Sequence, residues 1–141
     1  MIKRAGFTII EIVIVVAISA ILTTITIPRA GRFIDGIEVR GAATEAASMF
    51  SLARHYAIAH GTQATLDIDP AARTLSIKSS GQSITTRDLS TAHGVSINAN
   101  RTSITYSPIG VGYGAANFSM ILSRGRAADT VVVSRLGRVR R

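Results

Sequence analysis

An uninterrupted apolar segment near the amino terminus constrains the fold of this chain more than any other feature. From Phe7 to Ile27 the residues read FTIIEIVIVVAISAILTTITI, with Glu11 as the single charge, and Pro28 follows. At about 1.5 Å per residue, a helix of this length spans roughly 30 Å, the thickness of a bilayer's hydrocarbon core. The segment is therefore predicted to cross a membrane. The remaining residues suffice for one domain.

The charge of the chain is unevenly distributed. Of the net charge of +8, Lys3 and Arg4 precede the apolar segment, and residues 101–141 hold seven arginines against Asp129 alone. Basic residues before a membrane span keep the amino terminus in the cytoplasm, so the rest of the chain is expected across the membrane. Cysteine is absent, which excludes disulfides and thiolate metal sites.

The carboxylate of Glu11 needs a partner, because a charge at the centre of a membrane helix costs about 2.5–3.5 kcal/mol. If the chain is cut after Gly6, Phe7 gains a positive amine one helical turn from Glu11. The amine of a neighbouring subunit could then neutralise this carboxylate, and a misaligned subunit would leave a charge unpaired. Glu11 is thus expected to set the register of an assembly.

The sequence GFTIIE, from Gly6 to Glu11, together with the basic leader, the apolar helix and Pro28, resembles the type IV pilins and type II secretion pseudopilins. The resemblance implies that a prepilin peptidase cuts between Gly6 and Phe7 and methylates Phe7. It also implies that Glu11 contacts the amine of an adjacent subunit. Other pilins, the peptidase and the membrane would be its partners.

Three alternatives stay open at this stage. Ala17, Ile18 and Ser19 loosely resemble a secretory cleavage site, although the charge of Glu11 argues against that interpretation. The chain could also remain an unprocessed, single-span, membrane-anchored binding module. Finally, Pro28 could end the helix, or it could kink the helix as subunits pack.

The rest of the chain predicts an α+β fold. One helical face carries apolar residues at spacings of three and four, and Gly61 is a candidate C-cap; the face comprises Val39, Ala43, Ala46, Phe50, Ala53 and Ala57. After Gln63 the period changes to two, which predicts a hairpin around Asp69–Ala71. Further strands are expected at 83–87, 95–98, 103–107, 118–122 and 130–134.

These patterns divide the chain into four parts: a cleaved basic leader (1–6), a transmembrane and assembly helix (7–28), its amphipathic continuation (29–61) and a globular β-sheet domain (62–141). The long helix, with its transmembrane and amphipathic halves, is expected to pack on an antiparallel β-sheet.

Within the pilin-like family, the chain resembles the pseudopilin H and FimT branch. The resemblance rests on Tyr106, on the stretch from Pro108 to Gly114, and on the ending VVVSRLGRVRR. It implies a minor pilin or pseudopilin acting in protein secretion or pilus biogenesis. Such a subunit would lie in the bacterial inner membrane with its carboxyl-terminal domain in the periplasm.

The arginine-rich ending is a candidate DNA-binding surface. If this segment is extended, Arg138 and Arg140 point to one face and Val139 to the other. Guanidinium groups bind phosphates bidentately, and resemblance to FimT implies DNA capture during transformation. Other arginines could enlarge the patch: Arg124, Arg126, Arg135 and Arg141. The alternative is that these arginines are solvated, or paired with a neighbouring subunit or acidic lipid.

No pattern in the sequence predicts catalysis or a cofactor. The glycines at 110, 112 and 114 lack the lysine, serine and helix of a phosphate loop. His55, His60 and His93 do not have metal-ligand spacing, and no nucleophile elbow occurs. We therefore expect a protein that acts by assembly and binding.

Overall fold

The computed structural model describes residues 6–113 and 117–141, in two compact units that divide between Ile34 and Asp35. Residues 1–5 of the predicted leader, and Gly114 of the glycine-rich stretch, lie outside the described residues. A single helix, α1 (Ile9–His60), contributes to both units.

In the first unit every described residue is exposed. The apolar part of α1 has a mean hydropathy of 2.5 over 18 residues, and none of that window is buried. By length and composition it can cross a membrane. The helix continues through Pro28, so the alternative that this proline ends the helix is wrong. A kink at Pro28 stays a prediction.

In the second unit α1 buries the predicted face. All six predicted apolar residues are buried, and Ala42 and Met49 join them. The helix ends as expected at Gly61, which has a φ of 61°, while the Thr62 N–H donates to the Ala57 carbonyl over 3.2 Å. Because most of the buried side chains are alanines, the strands can pack close to the helix axis.

The strands form two antiparallel sheets, where the sequence predicted one. The first sheet has the order β3-β2-β1-β5-β6 and the second the order β4-β7-β8-β9. Their bounds are β1 Ala64–Asp69, β2 Thr74–Ser79, β3 Gln82–Asp88, β4 Ser96–Ala99, β5 Ser103–Tyr106, β6 Gly112–Tyr113, β7 Phe118–Arg124, β8 Ala127–Val133 and β9 Val139–Arg140. The predicted packing of a long helix on antiparallel strands is confirmed. The division of the strands into two sheets is not visible in their periodicity.

One core joins the helix and both sheets. The ring of Phe50 on α1 lies 5.2 Å from that of Phe118 on β7, between centroids. Alternate residues of β1, β2 and β5 are buried from the other side, as expected for half-buried strands. A short helix, α2 (Leu89–His93), was not predicted; Asp88 caps its start and Gly94 its end.

Candidate assembly site and basic surface

Glu11 already has a partner within its own chain. The Glu11 N–H donates to Thr8 Oγ1 over 3.3 Å, and the Thr8 N–H donates to Glu11 Oε2 over 3.4 Å. These reciprocal bonds form a capping box, which satisfies two free N–H groups at the start of α1. The carboxylate also lies at the positive end of the helix dipole. Thr8 was not among the predicted site residues, although Thr-x-x-Glu before an apolar run signals this motif.

The predicted cleavage point lies outside the helix. Gly6 and Phe7 have no secondary structure, and both are exposed. Phe7 is 81% exposed and contributes with Glu11 and Ile12 to a small open pocket. The peptide bond between Gly6 and Phe7 is therefore free of helical hydrogen bonds and sterically open to an enzyme.

The arginine-rich ending folds back as a tight turn and a short strand. After β8, the Ser134 N–H donates to the Arg138 carbonyl over 2.9 Å, and the Gly137 N–H donates to the Ser134 carbonyl over 2.8 Å. Strand β9 then pairs with β8. Val139 packs partly against the core, while Arg138 and Arg140 are exposed. The two guanidinium groups are thus available on the surface.

Arg54, which sequence analysis did not single out, lies beside this turn. Its Nε donates to the Gly110 carbonyl over 3.1 Å, and it lines a groove together with Arg138 and Arg140, here called the basic groove. A Cβ at Gly137, whose φ is 73°, would stand 3.0 Å from Arg54 Cδ. Glycine is therefore required at position 137, because any side chain would be strained and would press on Arg54.

The other predicted arginines are dispersed. Arg124 pairs with Asp35 at 3.0 Å and donates to the His93 carbonyl over 2.6 Å. Arg126 follows it in the β7–β8 turn, about 20 Å along β8 from the Ser134–Arg138 turn. Arg124 and Arg126 therefore lie apart from the basic groove.

Arg135 and Arg141 stay near the basic groove without lining it. The Arg135 carbonyl accepts from the Gly112 N–H over 3.2 Å, while Arg141 contacts Thr44 and lies 3.9 Å from an Asp129 oxygen. Within the described part of the chain, neither Arg138 nor Arg140 forms an ion pair.

His93 forms a further polar cluster that the sequence did not indicate. Its Nδ1 lies 2.9 Å from Glu38 Oε2, and its Nε2 lies 3.2 Å from Glu45 Oε2. The ring packs over Gly41, where a Cβ would stand 2.9 Å from His93 Cε1. The cluster attaches α2 to α1, and Gly41 provides the space for it.

Comparison with known proteins agrees with this architecture. The family described as the Prokaryotic N-terminal methylation motif matches residues 1–27. No curated protein sequence matches the chain. The chain therefore carries the processing motif of prepilins at its amino terminus.

Solved structures match the fold at low sequence identity. The type IV minor pilin FimU of Pseudomonas aeruginosa is 18% identical, with a TM-score of 0.63, over 77% of this chain and 90% of that one. The minor pseudopilin EpsH from the type 2 secretion system of Vibrio cholerae is 16% identical, with a TM-score of 0.60, over 73% and 94%. The fold of this chain is thus similar to that of a type IV minor pilin and a minor pseudopilin.

Proposed function

We propose that the chain is a minor subunit of a type IV pilus or a type II secretion pseudopilus. The observation that carries the proposal is the fully exposed apolar part of α1, which has Glu11 in its first turn and falls within the matched methylation motif at residues 1–27. An apolar surface of this length needs lipid or other apolar helices around it. Before assembly, the subunit lies in the bacterial inner membrane with its second unit in the periplasm.

Assembly then follows from charge and burial. A prepilin peptidase cuts after Gly6 and methylates the new amino terminus at Phe7. In a filament, apolar helices replace lipid around each other, and the amine of one subunit meets the Glu11 carboxylate of the next. Only the correct axial offset pairs both charges, so the same contact drives incorporation and fixes register. Pro28 allows the helix to kink as it packs against neighbouring helices.

Replacing Glu11 tests this mechanism. We expect Glu11→Gln to leave the subunit in the membrane and to abolish its recovery in sheared filaments, because the amine loses its counter-charge. Thr26→Val is the matched control, since the Thr26 hydroxyl donates to the Leu22 carbonyl of its own helix over 2.8 Å and to nothing else among the described residues. Immunoblotting of membrane and filament fractions measures both. Normal incorporation of Glu11→Gln would contradict the mechanism.

DNA binding in natural transformation is a second candidate function for the exposed ending. It is supported by the basic groove, which Arg54, Arg138 and Arg140 line together. Among the described residues, neither Arg138 nor Arg140 has an acidic partner. Three guanidinium groups along one groove can bind phosphates of a nucleic-acid backbone. The ligand would be duplex DNA of any sequence, because phosphate contacts carry no sequence information.

The salt dependence of binding tests this candidate. We expect Arg138→Ala combined with Arg140→Ala to weaken binding to unrelated duplexes alike, and to lower the slope of log K against log salt by about two. The control is Arg126→Ala, at the other end of β8. Fluorescence anisotropy of labelled duplexes gives both quantities. Binding that ignores salt, or that survives the double substitution, would exclude this role for the ending.

A further inference from the structure

A second groove, distinct from the basic groove, runs over the outward side of α1 in the second unit. Its floor is α1 from Thr44 to His55, and β3 and β9 form its two walls. Ion pairing holds one wall, since Arg87 of β3 lies 3.5 Å from Glu45. The contact of Arg141 with Thr44 holds the other wall. The two sheets therefore contact α1 at the adjacent residues Thr44 and Glu45. The outer face of the helix stays open between the two sheets.

Both walls of the groove are sheet edges. β3 is at one end of the first sheet, and β9 is at one end of the second. An edge strand presents unpaired N–H and C=O groups, and proteins usually protect such edges with lysine, proline or covering elements. β3 has seven residues, Gln82–Asp88, without proline or lysine, and all of them except the half-buried Thr85 are exposed. Its edge is therefore open to an added strand.

The floor of the groove suits a backbone lying close to the helix. Ala47, Ser48 and Ser51 have small side chains, and the Ser51 hydroxyl is bonded to the Ala47 carbonyl at 3.1 Å. Leu52 is 48% exposed and offers an apolar contact. From Thr44 to His55 the helix rises about 16 Å. That length matches about five residues of extended chain.

The charge of the groove selects the partner. Arg87, Arg140 and Arg141 line it against one carboxylate, that of Glu45. Glu45 is already shared between Arg87 and His93. Arg141 lies 3.9 Å from an Asp129 oxygen, whereas Arg140 has no ion pair within the described residues. The walls therefore carry an excess of positive charge, which favours acidic side chains in the occupant.

We propose that this groove binds an extended acidic segment of a partner protein, which pairs with β3 as an added strand and places an apolar side chain on Leu52. Backbone pairing gives affinity, and alternate side chains give specificity. The proposal goes beyond filament assembly and does not depend on Glu11. An open strand edge, which pairs with peptide and not with nucleic acid, favours a protein over DNA.

Hydrogen exchange in the full chain, in detergent micelles, tests the proposal. The probe is an eight-residue peptide of alternating valine and glutamate, and its counterpart alternates valine and lysine. We expect the glutamate peptide to slow exchange of the amides in 82–88 several-fold and the lysine peptide to have no effect. The same experiment with a short DNA duplex tests the nucleic-acid alternative.

Two substitutions in the groove and one control outside it distinguish binding in the groove from a general surface effect. Ser48→Trp fills the floor and is expected to abolish the protection; Ala59→Trp, exposed on α1 outside the groove, is its control. Arg140→Glu should weaken peptide binding several-fold. The thermal melting temperature of each variant verifies folding.

Three results would overturn the proposal. Exchange in β3 that is the same with and without the glutamate peptide would do so. Protection that persists in folded Ser48→Trp would show that the peptide binds elsewhere. Protection of β3 by DNA and not by the peptide would assign the groove to nucleic acid. None of these outcomes bears on the proposed filament assembly, which the Glu11 substitution tests separately.

Discussion

At the scale of the residue, Tyr106 is an exception to the rule that buried polar groups are hydrogen-bonded. Its side chain is fully buried, and its hydroxyl makes no hydrogen bond within the described residues. Burial raises the pKa of Tyr106 to about 12, and the positive charge of Arg54 acts in the opposite direction. A buried hydroxyl without a partner carries a desolvation cost.

Tyr106→Phe is therefore expected to stabilise the fold, by about 1 kcal/mol at neutral pH. In the wild type the unfolded chain loses the phenolic proton near pH 10, before the folded chain does near pH 12. Stability should then fall across this interval, and the phenylalanine variant should lack that part of the fall. Urea unfolding of both proteins between pH 8 and pH 12 measures the difference. Parallel curves would show that the hydroxyl is solvated.

At the scale of the element, α1 contains two glycines in the second unit with opposite surroundings. Gly36 has open space at its Cβ position, whereas a Cβ at Gly41 would meet the His93 ring at 2.9 Å. Replacing a helical glycine by alanine usually stabilises by about 0.5–1 kcal/mol. Gly36→Ala should show this gain.

Gly41→Ala should not show it, because the ring must move away from Glu38 and Glu45. The melting temperature is expected to rise for Gly36→Ala and to fall for Gly41→Ala. In a His93→Ala background the two substitutions should have similar, stabilising effects, since the obstructing ring is gone. A rise for Gly41→Ala in the wild-type background would mean that the His93 ring shifts without cost.

Periodicity predicted the elements well and their association poorly. The face from Val39 to Ala57 was predicted correctly because buried alanines and Phe50 repeat at helical spacing. The partition into two sheets depends on long-range pairing, such as β1 with β5, which local sequence does not encode. Likewise, Arg54 donates to the Gly110 carbonyl across 56 residues of sequence, so only the structure shows that it lies beside the Ser134–Arg138 turn.

At the scale of the whole molecule, the processing motif predicts a defined mature chain. The proposed cleavage after Gly6 would remove the leader and leave a chain that begins at a methylated Phe7. Intact-mass spectrometry of protein from its host should show this species alone in filament fractions. A chain that retains Met1 would instead support the unprocessed, membrane-anchored binding module.

The capping box of Thr8 and Glu11 changes what polymerisation has to achieve. A subunit dispersed in lipid does not hold a bare charge that awaits rescue, since the backbone N–H of Thr8 already contacts the carboxylate. If the proposed contact forms, joining a filament exchanges the Thr8 N–H for a fully charged amine donor at Glu11. The energy released would then be the difference between two contacts, which would allow a subunit to return to the bilayer when a filament is taken apart.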